Sequence, residues 1–210
     1  MPDSNTPCKV DWVLFDFGGV LAEEGFAQGL REIARQNNLD PELVLQKAKE
    51  HIYASGYLLG KGREQDFWHR MRQDPGFTGQ ENAWRQEILS RFQLRDWMLE
   101  TVRRIRASGS KVAILSDQVD WLDELNAQNH FFDLFHEVFN SYHLGWSKAV
   151  TETFRLVLQK LDCTPNQALF VDDDPGNIHR AEQAGLHCIL YQDRQDFMQR
   201  LQVYCPAAAI

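Results

Sequence analysis

Most residues of this chain that could do chemistry are aspartates at the ends of apolar runs. Asp16 closes such a run in VLFDFGGVL, and Ser116 and Asp117 follow another in ILSDQ. Lys148 lies in LGWSK, and Asp172, Asp173 and Asp174 end a third run in LFVDDDPGNI. Carboxylates with no His or Cys beside them suit a hard, oxygen-preferring cation, and Mg2+ is the usual one at phosphate sites. Beside such a cation Asp16 could attack phosphorus, giving an aspartyl-phosphate that water later hydrolyses. The backbone amides of Gly18 and Gly19, the Ser116 hydroxyl and the Lys148 ammonium are donors for phosphoryl oxygens. Taken singly, each motif also reads as a turn, a helix cap or a surface lysine. Their joint occurrence is what favours a site.

The elements that must position these residues are strands alternating with helices. Short apolar runs over 12–17, 112–115, 168–171 and 188–191 read as buried parallel strands, and 137–140 is a weaker fifth. Helical spacing appears over 96–108, where Met98, Val102 and Ile105 share a face before Gly109. It recurs over 150–161 and over 178–184. Alternation of this kind predicts an α/β fold, a Rossmann-like doubly wound parallel sheet with right-handed crossovers. Ligands of such sheets bind at the carboxyl ends of the strands, where all four motifs lie. Residues 22–95 break the rhythm, with apolar stripes at helical spacing and no convincing strand. They predict a helical insert, which leaves 1–21 and 96–210 as the α/β core.

Bulk properties narrow the function further. The 210 residues are 43% hydrophobic and 25% charged, which argues against general disorder. A formal charge of −8 argues against nonspecific nucleic-acid binding. An anionic substrate would therefore need local cations or a metal. No apolar stretch is long enough to span a bilayer, and residues 1–11 carry no basic leader. Cys8, Cys163, Cys188 and Cys205 are scattered without paired spacing and read as reduced thiols of a cytoplasmic protein. A monomer or a homodimer is expected.

Together, VLFDFGGVL, ILSDQ, LGWSK and LFVDDDPGNI resemble the four ordered motifs of the haloacid dehalogenase-like hydrolase superfamily, in its helical-cap phosphatase branch. The motifs bracket residues 12–178, and the insert sits where that family carries its smaller cap. The resemblance implies a Mg2+-dependent phosphatase acting on a small phosphorylated metabolite. Asp16 would be the nucleophile and, through its second oxygen, a metal ligand. The Gly18 carbonyl and Asp173 would also hold the metal, with Asp172 doing so directly or through water. Ser116, Asp117 and the Gly18-Gly19 turn would bind substrate, and Lys148 would pair with nucleophile and phosphate. Cap residues would select the substrate.

Two positions depart from that pattern. Lys148 is followed by Ala149 where Pro is usual, and Gly18 stands where most of the family's phosphatases carry a second Asp as acid and base. Losing that group removes a contribution of roughly 10²–10⁴-fold. Three readings of Gly18 follow: a phosphatase for substrates with good leaving groups such as anomeric sugar or acyl phosphates, a dehalogenase-type hydrolase, or a weak catalyst that binds a phosphorylated ligand or partner. Replacement acids are sought in His51, His69 and Asp117. In the insert, Trp68 and Arg72, four residues apart, are candidates to meet a sugar ring or phosphate, or to form a dimer contact.

Overall fold

A computed structural model describes residues 7–209. The expected core limits therefore run beyond the described residues at 1–6 and at 210. Five parallel strands form one sheet: β1 (Trp12–Phe15), β2 (Lys111–Ser116), β3 (Glu137–Asn140), β4 (Ala168–Asp172) and β5 (His187–Leu190). Their order is β3-β2-β1-β4-β5, so the chain starts in the middle, winds outward twice, then returns to fill the other side. The fold is the expected doubly wound α/β sheet, and the weak fifth strand is real. β1 stops two residues before its expected end because the chain turns sharply at Phe17. There the Gly19 and Ala22 amides donate to the Ala22 and Phe17 carbonyls at 2.8 and 2.9 Å.

Alternation along the strands divides the core into two layers. Leu14, Leu115 and Phe170 face one side, against Phe154 and Val157 of α8 (Thr151–Lys160) and Ala181 of α9 (Pro175–Gln183). Val13, Phe15, Ile114 and Val171 face the other. Their partners there include Val102 and Ile105 of α5 (Asp96–Ala107), Leu122 of α6 (Trp121–Asn129) and Phe197 of α10 (Arg194–Tyr204). The interiors of the three central strands β2, β1 and β4 are buried on both faces, as parallel sheets require, while the edge strands β3 and β5 are partly exposed. A single helical turn, α7 (Ser141–Leu144), follows β3.

Residues between β1 and α5 form α1 (Gly25–Gln36), α2 (Pro41–Ala54), α3 (Glu64–Met71) and α4 (Glu81–Ser90). The chain leaves and re-enters the sheet side by side, the Glu23 amide donating to Gln93 O and the Arg95 amide to Leu21 O, both at 2.9 Å. Trp68 is buried between Phe67, Trp84 and Trp121, with ring centroids 4.7, 5.9 and 6.2 Å away. Arg85 bridges Glu64 of α3 and Glu124 of α6. Trp68 is thus not the exposed ring that its spacing suggested, because it packs these helices against the core. Arg72 pairs with Glu81 at 3.3 Å on the outer surface.

One reading of the cysteines is overturned. Cys8 and Cys205 form a disulfide with Cα atoms 4.1 Å apart, across 197 residues of sequence. The Lys9 amide donates to Tyr204 O at 2.7 Å, so backbone pairing brings the two ends together in a way spacing could not show. Cys163 and Cys188 are free thiols, as expected. No helix among the described residues is long and apolar enough to cross a membrane.

Candidate active site

The carboxyl edge of the sheet gathers the four motifs. Asp16 follows β1 directly, and its amide extends the ladder by donating to Val171 O at 2.9 Å. Asp172 is the last residue of β4 and is fully buried. Between them lies the Lys148 ammonium, 2.8 Å from Asp16 Oδ1 and 2.7 Å from Asp172 Oδ2. Burial works against the charge of Lys148, but Asp16, Asp172 and Asp117 outweigh it and hold the ammonium protonated well above its ordinary range. A buried lysine facing three carboxylates is costly to desolvate and is kept by its partners.

Neighbouring groups hold these side chains in place. Asp172 Oδ1 accepts the Asp174 amide at 2.7 Å, and the Asn177 side-chain amide reaches Oδ2 at 3.1 Å. Asp174 caps α9, its Oδ1 accepting the Asn177 amide at 2.8 Å. The loop carrying Lys148 is fixed at both ends of the residue: its amide donates to Asp117 Oδ1 at 2.9 Å, and its carbonyl accepts from Arg180 Nε at 2.6 Å. Asp117 is therefore a strut for Lys148 rather than a free acid. The change from Pro to Ala149 leaves this anchoring intact.

Carboxylate oxygens of Asp16, Asp172 and Asp173 lie within 4.8 Å of one another. Burial above all raises Asp16 well beyond the ordinary carboxylate range, and Asp172 and Asp173 add to the rise against the pull of Lys148. Three acids with one ammonium leave negative charge at the edge, and all the donors are hard oxygens, so the residues fit a divalent cation such as Mg2+. Asp172, already taking the ammonium and two N–H groups, is the one least able to ligate directly.

The two glycines of the turn play different parts. Gly19 has φ +88°, and a Cβ there would fall 2.3 Å from Asp173 Oδ2, so no side chain fits between turn and carboxylate. A Cβ on Gly18 would meet only Phe92 Cε1 at 3.4 Å and Glu24 Oε1 at 3.9 Å, which is room enough. Arg95 pins the turn from beneath, donating to the Gly19 and Val20 carbonyls and pairing with Glu23 at 2.9 Å.

A cavity of about 400 Å³ opens over this edge. Asp16, Gly18, Ser116, Asp117, Lys148 and Asp173 line its floor. Helices α1 and α2 contribute Glu24, Phe26, Arg31, Lys49 and Tyr53 to its roof, while Asn177 and Arg180 close one side. Glu24 caps α1 with Oε2, which accepts the Ala27 amide at 2.6 Å. Burial raises its carboxyl above the usual range, opposed by that amide and reinforced by Asp173. His51 and His69 do not line the cavity: His51 pairs with Asp74 at 2.9 Å, and His69 meets Gln73 at 3.1 Å. Glu24, Arg95, Asn177 and Arg180 escaped the sequence reading. Only Asn177 and Arg180 left a signal, falling three and six residues after the Asp174 cap and so on one face of the helix it opens.

Known proteins resemble the chain in both sequence and fold. D-ribitol-5-phosphate phosphatase of Bacteroides thetaiotaomicron is 31% identical over 71 residues, 34% of this chain and 34% of that protein. Acyl-CoA dehydrogenase family member 10 of Mus musculus is 31% identical over 96 residues, 44% of this chain and only 9% of its own length. A HAD family enzyme from Bacteroides thetaiotaomicron superposes with a TM-score of 0.74 at 20% identity, covering 91% of this chain and 98% of its own. A structure of such an enzyme with magnesium and inorganic phosphate gives 0.68 at 20% identity, over 87% and 94%. The L-2-haloacid dehalogenase of Xanthobacter autotrophicus gives 0.61 at 20% identity, over 92% and 82%. At such identities these likenesses speak for the fold alone. The model of the haloacid dehalogenase-like hydrolases matches residues 10–185, nearly the whole of the sheet and its insert, and the chain belongs to that family of hydrolases.

Proposed function

We propose that the protein is a Mg2+-dependent phosphomonoester hydrolase that works through an aspartyl-phosphate on a small phosphorylated metabolite. The observation that carries this reading is the Lys148 ammonium held between Asp16 and Asp172, with Asp173 beside them at the mouth of the same cavity. Asp16 Oδ1 is engaged by Lys148 and by the Phe17 amide at 2.7 Å, and Oδ2 is in this reading the attacking atom. Ser116, the Gly18-Gly19 amides and Lys148 then hold the phosphoryl oxygens. Asp16, Asp173 and the Gly18 carbonyl would hold Mg2+, with Asp172 behind them; the cation supplies neutralising charge for the dianionic substrate. Asp117 serves by fixing Lys148.

Residues 22–95 act in this reading as a cap over the core of 1–21 and 96–210, and their cavity-facing side chains choose the substrate. The likeness to D-ribitol-5-phosphate phosphatase supports a sugar or polyol phosphate, and a metabolite substrate is consistent with action in the cytoplasm. A panel of sugar, polyol, nucleotide and acyl phosphates assayed with Mg2+ and with EDTA tests the proposal. Turnover that needs Mg2+ and vanishes in Asp16→Asn supports it. Absence of turnover on every phosphate, or an Asp16→Asn variant as active as the parent, rejects it.

A further inference from the structure

Gly18 lacks the carboxylate that most of the family's phosphatases carry two residues after the nucleophile, yet a carboxylate still reaches that place. A Cβ on Gly18 would lie 3.9 Å from Glu24 Oε1, with no side chain of its own between them. Glu24 is six residues further along, just after the tight turn that folds Ala22 back against Gly18. Its Oε2 is fixed by the Ala27 amide at the start of α1, which leaves Oε1 directed to the cavity floor. The cavity's other carboxylates are occupied. Asp117 takes the Lys148 amide with both oxygens, Asp174 caps α9, and Asp16 and Asp173 belong to the candidate metal cluster.

We propose that Glu24 is the acid and base of the reaction, standing in from the first cap helix for the side chain that Gly18 lacks. The inference rests on the phosphatase reading above and deepens it. As Asp16 Oδ2 bonds to phosphorus and the bond from phosphorus to the leaving oxygen breaks, the Glu24 carboxyl gives its proton to that oxygen, releasing the alcohol. The Glu24 carboxylate then takes a proton from water as the water oxygen attacks phosphorus. The bond to Asp16 breaks, inorganic phosphate leaves, and both side chains return to their starting forms. Such an acid removes the need for an activated leaving group. The substrate class therefore widens from anomeric and acyl phosphates to phosphate esters of ordinary aliphatic alcohols, sugars and polyols among them.

Leaving-group dependence tests the assignment. Glu24→Gln keeps an oxygen that can accept the Ala27 amide, so the helix cap survives while the proton is lost. On an alkyl phosphate such as ribitol 5-phosphate, kcat should fall by roughly 10²–10⁴-fold. On p-nitrophenyl phosphate, whose leaving group needs no proton, the first turnover should slow less than about tenfold and show a nitrophenolate burst before a slow steady state. The double variant Gly18→Asp, Glu24→Gln, with the acid moved to a position that has room for it, should recover at least tenfold on the alkyl phosphate. Equal loss on both substrates, no loss on either, or a parent active on activated phosphates alone would overturn the role of Glu24 and leave the phosphatase reading standing. A parent inactive on every phosphate overturns both.

Discussion

The floor and the roof of the cavity are built to different standards. On the floor, Asp16, Lys148 and Asp172 are buried, paired within 2.8 Å and backed by Asp117, Asn177 and Arg180, so each has essentially one position. In the roof, Lys49 and Tyr53 are exposed helix side chains, and Arg31 is shared with Glu42 at 2.7 Å on the surface. The contrast separates two tasks. Charge that must be ready before the substrate arrives belongs on strand ends, where the backbone ladder removes freedom and the interior strengthens each interaction. Recognition of the rest of the substrate is left to side chains that adjust at little cost to stability.

Breaking the floor should therefore cost far more than breaking Arg31, Lys49 or Tyr53 of the roof. Asp16→Asn is expected to lower kcat by about 10⁴-fold or more with KM little changed, read in steady-state assays. Loss confined to KM would remove Asp16 from the chemistry. Lys148→Ala leaves Asp16 and Asp172 facing each other without their cation, and should cost about 3–5 kcal/mol in urea unfolding besides abolishing turnover. A variant of parental stability would mean that the edge carries less charge than its distances imply.

Metal addition sharpens the same point through pH. Burial is the main cause that lifts Asp16 and Asp117 in the folded protein above 3.8, the value of a free aspartate. The folded chain thus holds these protons more tightly than the unfolded one. That part of its stability is complete below about pH 3.8 and is lost as pH rises through the raised values. Mg2+ replaces the missing positive charge, so its effect on Tm should be larger at pH 7 than at pH 5. At one fixed concentration, a hundred times the Kd at pH 7, the gain there should be about 2.7 kcal/mol, measured against EDTA by calorimetry. An equal gain at both pH values would place the ion elsewhere. The smallest effect belongs to the roof: Lys49→Ala should raise KM less than about tenfold with kcat and stability within twofold and 0.5 kcal/mol of the parent. A large fall in kcat there would erase the distinction between floor and roof.

Much of the floor was legible in the chain and much of the roof was not. Strands in a buried parallel sheet must be continuously apolar, so the polar residue ending each run is conspicuous, and Asp16, Ser116 and Asp172 could be picked out before any coordinates. The helices of the insert carry mixed faces, and their period says which residues are buried but not against what. Trp68 shows the limit: its spacing from Arg72 suggested an outward face, yet Trp121 of the core covers it. His51 and His69 stay out of the cavity lining for the same reason, since only the packing of α1, α2 and α3 decides which polar groups look inward. The Cys8–Cys205 pairing depended on two ends meeting across the whole sheet.

Local rules of the chain were enough to settle the alternation of strands and helices, the carboxylates at the strand ends and the absence of a side chain at position 18. Those are matters of residue type and of spacing within one element. The tertiary structure alone decided that Lys148 stands between Asp16 and Asp172, that Asp117 braces it, and that Glu24 reaches the space beside Gly18. Each joins residues from separate elements, and a contact of that kind is set by how the elements pack, which no single stretch of sequence encodes.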